Sequence, residues 1–355
     1  MGGLGLRAAA DHASVAHATS LLSSHTMVLK LLKRAEEESA SAATMPQGNN
    51  LPDLPQPLLD DISARQGEDV ATESLIGVSQ KAASLKVDLF NRSLLLNQLQ
   101  EGEVRDVARL SSLGLKYAGS WLSVVPSLAL GLHLRPAEFV PMLRYRLGVQ
   151  VYSSEGLCSA CGKSSDKMGD HALACARRED RIARHNLLRD LIFEAASSAS
   201  LAPAREERHL LPGTAARPGD VFIRRWADGK DAALDVTVTS SLASSNLAAA
   251  AARPGGALEK AYDRKMHDAA DACREQGLVF FPIAFEALGG VHQVAVTQLK
   301  RLGAALARHS GSDEREVVSQ LLQRISLHLM RGNSALIAGR RPDSDLLPPE
   351  LDGQE

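Results

Sequence analysis

The chain has 355 residues, long enough for two or more domains, and its 45% hydrophobic and 23% charged residues are ordinary for a soluble globular protein and exclude a wholly disordered one. Its formal net charge of −2 excludes a global pull toward nucleic acid, so any such binding must come from a local basic face. Aromatic residues make up only 4% while Ala and Leu are plentiful, which favours helix as the main structural material.

Residues 1–38 read as a helical segment, because Leu21, Leu22, Val28, Leu31 and Leu32 recur at helical spacing. Residues 39–59 carry Ser, Asn and the prolines Pro46, Pro52, Pro55 and Pro57, a composition that resists helix and sheet and predicts a flexible linker. The pattern from 60 to 150 is helical again and reads as a helical linker domain, opened by Asp60-Asp61 as a helix start. Leu94, Leu95, Leu96, Leu99 and Trp121 are its expected core, and His133 a surface or packing histidine.

Residues 156–180 hold the first chemistry. Cys158 and Cys161 have two residues between them, a spacing that lets one tight turn, helped by Gly162, direct two thiolates at one ion. His171 and Cys175 follow four apart, which places both on one helical face, with Asp170 as the expected N-cap. Three soft thiolates and an imidazole with no open position predict a structural zinc site; the alternative is three scattered buried thiols and a satisfied histidine. The only other cysteine is Cys273, so a disulfide framework is not indicated. Behind the cluster, Arg177, Arg178, Arg181, Arg184, His185 and Arg189 load one helix with cations. The alternatives are a phosphate-contacting face, and a solvated helix neutralised by Glu179, Asp180 and Asp190.

Residues 181–335 alternate helix and strand. A helix is expected from about His171 to Ala199, strands at Val221 to Trp226 and Ala232 to Thr239, and a helix from Leu258 to Gln276. An apolar strand, Val279 to Phe285, and helices over Val291 to His309 and Glu314 to Arg331 complete a mixed α/β arrangement. A turn at Asp228-Gly229 would set Asp220 opposite Thr237 with Asp235 its diagonal neighbour. Two such carboxylates repel, and a bound Mg²⁺ is the usual way to keep both ionised; the alternative is a surface hairpin with solvated aspartates. Lys260 and Lys265, flanking Tyr262, are the candidate cations for a scissile phosphate, with Lys260 preferred and an ordinary surface lysine as the alternative for each. Glu194 and Glu207 are candidate third carboxylates, each with an ordinary salt bridge as its alternative.

The tail, 340–355, is proline-rich and expected to be disordered. No apolar run reaches the roughly 20 residues that span a bilayer, and the N-terminus lacks a signal peptide's order, so the chain reads as soluble and intracellular, nuclear or cytoplasmic.

Taken together, these motifs resemble the C-terminal region of non-LTR retrotransposon reverse transcriptases that carry a restriction-like endonuclease. In that family a Cys/Cys/His/Cys knuckle precedes an Arg/Lys-Pro-Asp motif and, a dozen or so residues on, a second acid. Here Arg217-Pro218-Gly219-Asp220 looks like the first motif with one glycine inserted, and Asp235 follows after fourteen residues. Gly169-Asp170-His171-Ala172-Leu173, Cys175 and Arg184-His185-Asn186 are similar to the family's junction between knuckle and nuclease. The resemblance is specific from about Gly156 to Gly290; residues 1–38 look like the end of a polymerase thumb. It implies a PD-(D/E)xK nuclease core with Mg²⁺ at Asp220 and Asp235, a zinc knuckle, and DNA, with element RNA and a polymerase-bearing protein as further partners. Thr237 stands where the basic motif has lysine, so a lysine must migrate in from the following helix; polymerase palm motifs are absent. An inactive zinc-containing nucleic-acid-binding module and a decayed element fragment are the competing readings.

Overall fold

Leu59, Ile62 and Val87 belong to one hydrophobic core, and the strand-bearing C-terminal part builds another. The computed structural model describes residues 11–20, 22–23, 54–99, 104–208, 210–211 and 217–348. They fall into two compact units, within Gly5–Glu101 and within Gly102–Glu355, so the boundary lies inside the segment 60–150 expected as one helical domain.

In the first unit, helices α1 (11–20), α2 (Gln56–Gln66), α3 (Thr72–Leu75) and α4 (Gln80–Leu99) bury Val15, Ala18, Leu22, Ile62, Leu75 and Val87. Helix α2 begins within the expected linker 39–59. Pro55 is its N-cap and Pro57 sits in its first turn, where a missing N–H costs nothing, and Gly67 ends it at φ 69°. Asp60 and Asp61 therefore lie inside the helix, with Asp61 paired to Arg65 at 2.8 Å, and not at its start. Helix α4 turns Ala83 and Val87 inward and leaves Leu94 exposed, with Leu95 and Leu99 half-buried, which corrects the expected leucine core. The side chain of Leu96, the linker up to residue 53, and Leu21, Val28, Leu31 and Leu32 lie outside the described residues.

The second unit is mixed α/β. Its first helices are α5 (Val104–Leu113) and α6 (Pro136–Leu147), and Trp121 between them is buried, edge-on to Phe139. A two-stranded ribbon, β1 (Gly156–Leu157) and β2 (Ser164–Ser165), carries the first cysteine pair. The expected helix from His171 to Ala199 is two, α7 (Asp170–Ala174) and α8 (Arg178–Ser198), broken at Cys175. A four-stranded sheet of order β3 (Ala204–Arg205), β4 (Val221–Ala227), β5 (Lys230–Thr239) and β6 (Val279–Glu286) follows. Its first two pairings are antiparallel; β5 and β6 are parallel, joined through α9 (Leu247–Ala252) and α10 (Gly256–Glu275). Helices α11 (Gln293–Ser310) and α12 (Glu314–Ala338) close the unit.

Strand alternation sorts the sheet's two faces. Ala232, Leu234 and Val236 enter the large core with Leu188 and Ile192 of α8, Leu299 of α11 and Ile325 of α12. Ala233 joins a smaller cluster with Phe280 and Cys273, the latter from α10. Odd-numbered residues of β5, Asp235 among them, therefore face α10.

The β4–β5 turn is the expected one: Asp228 and Gly229 both take positive φ, 53° and 76°, as a two-residue type I′ hairpin requires. Beyond it a bulge intervenes. Ala227 pairs with Lys230 but Ile223 with Ala232, so β4 spends three residues where β5 spends one. Arg225 takes φ 50°, and Trp226 Nε1 donates to Gln298 of α11 at 2.8 Å. The register past the bulge sets Val221 opposite Leu234, and Asp220 therefore lies beside Asp235 instead of opposite Thr237.

The end of α12 overturns the expected disordered tail over residues 340–348. Arg340 and Arg341 are buried, Leu346 bridges Tyr152, and the Leu347 N–H donates to Val151 O at 3.0 Å. Arg341 pairs with Asp345 at 2.6 Å, donates to Ser154 O, and lies over the Tyr152 ring. Residues 349–355 lie outside the described residues. Among the described residues no helix is long and apolar enough to cross a membrane.

Candidate functional site

The cysteine cluster assembles from two short elements. The Gly162 N–H donates to Cys158 O and the Cys158 N–H to Lys163 O, both at 2.8 Å, with Gly162 at φ 70° completing the turn. Helix α7 supplies the other pair. Its N-cap is Gly169, not Asp170; Asp166 accepts from the N–H groups of Asp170 and His171 at 3.0 and 2.7 Å. Asp170 instead forms a forked pair with Arg105 of α5, at 2.6 and 2.9 Å.

The ligand atoms of Cys158, Cys161, His171 and Cys175 all lie within 4.8 Å of one another. The Cys158 and Cys175 sulfurs are 3.9 Å apart, and Cys161 Sγ is 3.3 Å from His171 Nε2. Zinc–sulfur bonds of about 2.3 Å in a tetrahedron put sulfurs about 3.8 Å apart, so the group could hold a metal ion such as zinc. Burial lowers the His171 pKa, favouring the neutral imidazole a metal requires. The backbone N–H of Lys163 lowers that of the Cys161 thiol, whereas burial raises that of Cys158.

The second constellation forms where β4 begins beside β5. The Asp220 N–H donates to Leu234 O at 2.8 Å, and its Oδ2 accepts from the Val236 N–H at 2.6 Å. His185 Nε2 of α8 is 2.9 Å from the same oxygen. Burial pulls the His185 pKa down, but the hydrogen bond and charge of Asp220 outweigh it and the net shift is upward. The glycine that interrupts Arg217-Pro218-Gly219-Asp220 has a steric reason. A Cβ on Gly219 would come within 2.9 Å of Ala233 Cβ and 3.0 Å of Leu234 O. Gly219→Ala is expected to cost about 1–3 kcal/mol through overpacking and to displace Asp220. A denaturant midpoint equal to wild type would show that the turn has room to move.

Asp235 lies on the α10 face, and the lysine that reaches it is Lys265, with Nζ 2.7 Å from Oδ2. Lys260, the preferred candidate, donates instead to Ser245 O at 2.6 Å. Tyr262 stacks on His292 with ring centroids 4.3 Å apart. Burial pushes the Asp235 carboxyl from 3.8 up to about 6; the opposing pull of Lys265 is the smaller effect, and the charge of Asp220 adds to the rise. At about 1.36 kcal/mol per unit, ionising it costs about 3 kcal/mol more than in water. Since the folded value lies above the unfolded one, this group's stabilising contribution is complete below about pH 4 and is lost as the pH rises through about 6. A divalent cation needs the ionised form, so the sign reverses for metal binding. The apparent Mg²⁺ affinity, read as a thermal shift, is expected to be full at pH 7.5 and to fall toward about tenfold per unit below pH 6. Equal Mg²⁺ shifts at pH 5 and 7.5 would remove Asp235 as a ligand.

The expected cationic face of α8 divides. Arg184 is buried, 4% exposed, and donates to Asn333 Oδ1 of α12 at 2.7 Å; burial first, then Arg181, lowers its pKa to about 10. Arg189 is engaged by Asp190 and Glu206, while Arg177 and Arg181 are exposed; the Arg178 side chain lies outside the described residues. A groove of about 520 Å³ is lined by Arg181, Arg184, His185, Thr237, Arg264 and Lys265 among others. A second, of about 540 Å³, shares Arg181, Arg184 and Arg264 and reaches Lys260. Among the described residues, no carboxylate lines either.

Of the candidate third acids, Glu194 meets Arg324 at 3.5 Å on the surface and Glu207 is exposed. Neighbouring Glu206, which sequence reasoning passed over, pairs with both Arg189 and Arg217 and donates its N–H to Asp220 O. Its signal was the Arg205-Glu206-Glu207-Arg208 charge cluster, which does not say which acid turns inward. No protein-family model matches the chain, and no curated protein matches it.

Proposed function

We propose that this chain is the C-terminal, knuckle-and-nuclease part of a non-LTR retrotransposon reverse transcriptase, acting as a metal-dependent endonuclease with a PD-(D/E)xK-like core. The observation that carries the reading is the convergence of Asp220, Asp235 and Lys265 next to a groove whose described lining carries Arg181, Arg184 and Arg264 and no carboxylate. The donor set fits Mg²⁺, a hard cation that takes oxygen ligands. Asp220 and Asp235 would hold it with the Val236 carbonyl. When bound, it supplies Lewis acidity and a water that loses its proton near neutral pH.

The remaining roles fall to the chain. Arg181 and Arg264 line the path of a phosphodiester backbone, and Lys265 offers its ammonium to a phosphate oxygen as negative charge develops. Val236 N–H and His185 both engage Oδ2 of Asp220, fixing that carboxylate's orientation. The cysteine cluster, loaded with zinc, holds the start of α8 and so the groove's wall. DNA is the proposed substrate; element RNA and a separate polymerase are the proposed partners.

A second reading has its own observation. His185 and Lys265 each face one of the two carboxylates, as they would in a scaffold that binds nucleic acid without cutting it. Supercoiled plasmid incubated with zinc-replete protein and Mg²⁺ separates the two. Nicked circles that disappear on adding a chelator support the nuclease; retained plasmid binding without nicking leaves the binding module.

A further inference from the structure

Among the described residues Arg340 is the largest fully buried side chain, 1% exposed, and it follows the Gly339 C-cap of α12. A lone guanidinium is costly to bury, and such groups are retained where a counter-charge meets them. Nη1 meets the Asp180 carboxylate, which is itself half-exposed, while Nε and Nη2 are buried with no hydrogen-bond partner among the described residues. Two unused donors on a buried cation call for a further acceptor.

The backbone around Arg340 shows where that acceptor lies. Arg340 O accepts from the Ser159 N–H at 3.0 Å, and Gly339 O from the Ser159 hydroxyl at 2.9 Å. Ser159 directly follows Cys158, so the end of α12 is bonded to the turn between the first two cysteines. The charges of the Cys158 and Cys175 sulfurs reach the Arg340 guanidinium. Three thiolates and a neutral imidazole around Zn²⁺ leave one net negative charge, and Cys158 and Cys175 are buried. One buried cation with two free donors matches that charge and those sulfurs.

We propose that Arg340 is the counter-ion of the zinc centre, a positioning residue that donates to the metal-bound thiolates, so that metal binding and docking of residues 339–347 form one coupled equilibrium. The inference rests on the cysteine cluster holding a metal and is independent of nuclease activity. Outer-shell donors of this kind set metal affinity without touching the ion, typically by 10- to 100-fold.

Chelator competition for Zn²⁺, and the thiolate-to-metal band of the Co²⁺-substituted protein, test it on the full chain. Arg340→Met is expected to weaken Zn²⁺ by roughly 10- to 100-fold and to shift the Co²⁺ band, with Arg340→Lys recovering part of both. Asp180→Asn removes the other partner of Arg340 and is expected to leave both readouts at wild type. Stripping zinc from wild type is expected to open 339–347 to protease. Wild-type affinity and spectrum in Arg340→Met would overturn the proposal; so would equal losses in Asp180→Asn, which would assign Arg340 to that ion pair. Should Arg340→Met not fold, Arg340→Lys against Asp180→Asn decides by the same readouts. Wild type that takes up neither Co²⁺ nor Zn²⁺ would instead overturn the metal centre itself.

Discussion

Alanine at both Asp220 and Asp235 is expected to reduce Mg²⁺-dependent nicking by at least about 10³-fold, since one well-placed electrostatic group is commonly worth about 10²–10³ in rate. DNA binding should change little, because the groove lining belongs to Arg181, Arg184, Arg264 and Lys265. Lys265→Ala is expected to lose about 10²-fold or more, and Lys260→Ala to stay near wild type, as its ammonium is turned to Ser245 O. The reverse ranking would return the catalytic lysine to position 260. Stability supplies a second signature. Ionised Asp235 carries a burial cost that its raised value of about 6 records, so Asp235→Asn should fold as stably as wild type at pH 7.5 or more so. An inactive variant with an undiminished melting temperature marks a residue kept for chemistry. A large loss of stability in Asp235→Asn would mark the Lys265 pair as structural.

Removing the metal should be felt more widely. Structural zinc contributes about 10–16 kcal/mol to the folding of isolated zinc-finger peptides. Here the knuckle leans on a larger core through Arg105–Asp170 and through the Tyr152 hydroxyl, which donates to Ile337 O at 2.7 Å, so part of that survives. Even a third of the peptide value, at about 2–4 °C per kcal/mol for a unit of this size, is a fall in melting temperature on the order of 10 °C. Cys158→Ser and a strong chelator should produce the same fall, and chelator should add nothing to the mutant. Melting curves that overlay with and without chelator would take the metal out of the structure.

How much of this was readable in advance depends on the range of the forces involved. The Cys158, Cys161, His171, Cys175 cluster and the Asp228-Gly229 turn were legible because their signals are local: a two-residue gap between thiols, and a dipeptide that tolerates positive φ. The register of Asp220 was not. It depends on the bulge at Arg224 to Trp226, where Trp226 reaches Gln298, a partner 72 positions away. The lysine was half-legible. Leu258, Ala261 and Lys265 share one helical stripe, the first two are buried, and Lys260 lies off it, so helical phase alone favoured 265. Arg184 looked like one cation among several on an exposed helix; only its Asn333 partner, 149 positions on, makes it a core residue. The proline-rich composition after Arg340 argued for disorder, whereas Arg340, Arg341 and Leu346 tie that segment to Asp180, Ser154 and Tyr152.

The bulge in β4 also bears on how such hairpins diverge. It inserts a surplus of two residues, an even number, so every side chain between Asp220 and Ile223 keeps the face it would have without it. Lengthening or trimming the hairpin in steps of two on the turn side would leave the two carboxylates where they are, whereas a single-residue indel would turn one of them to the opposite face. The count of residues between the acids thus measures how the loop end was edited, and the Val221–Leu234 pairing is the coordinate that selection on the site would hold constant.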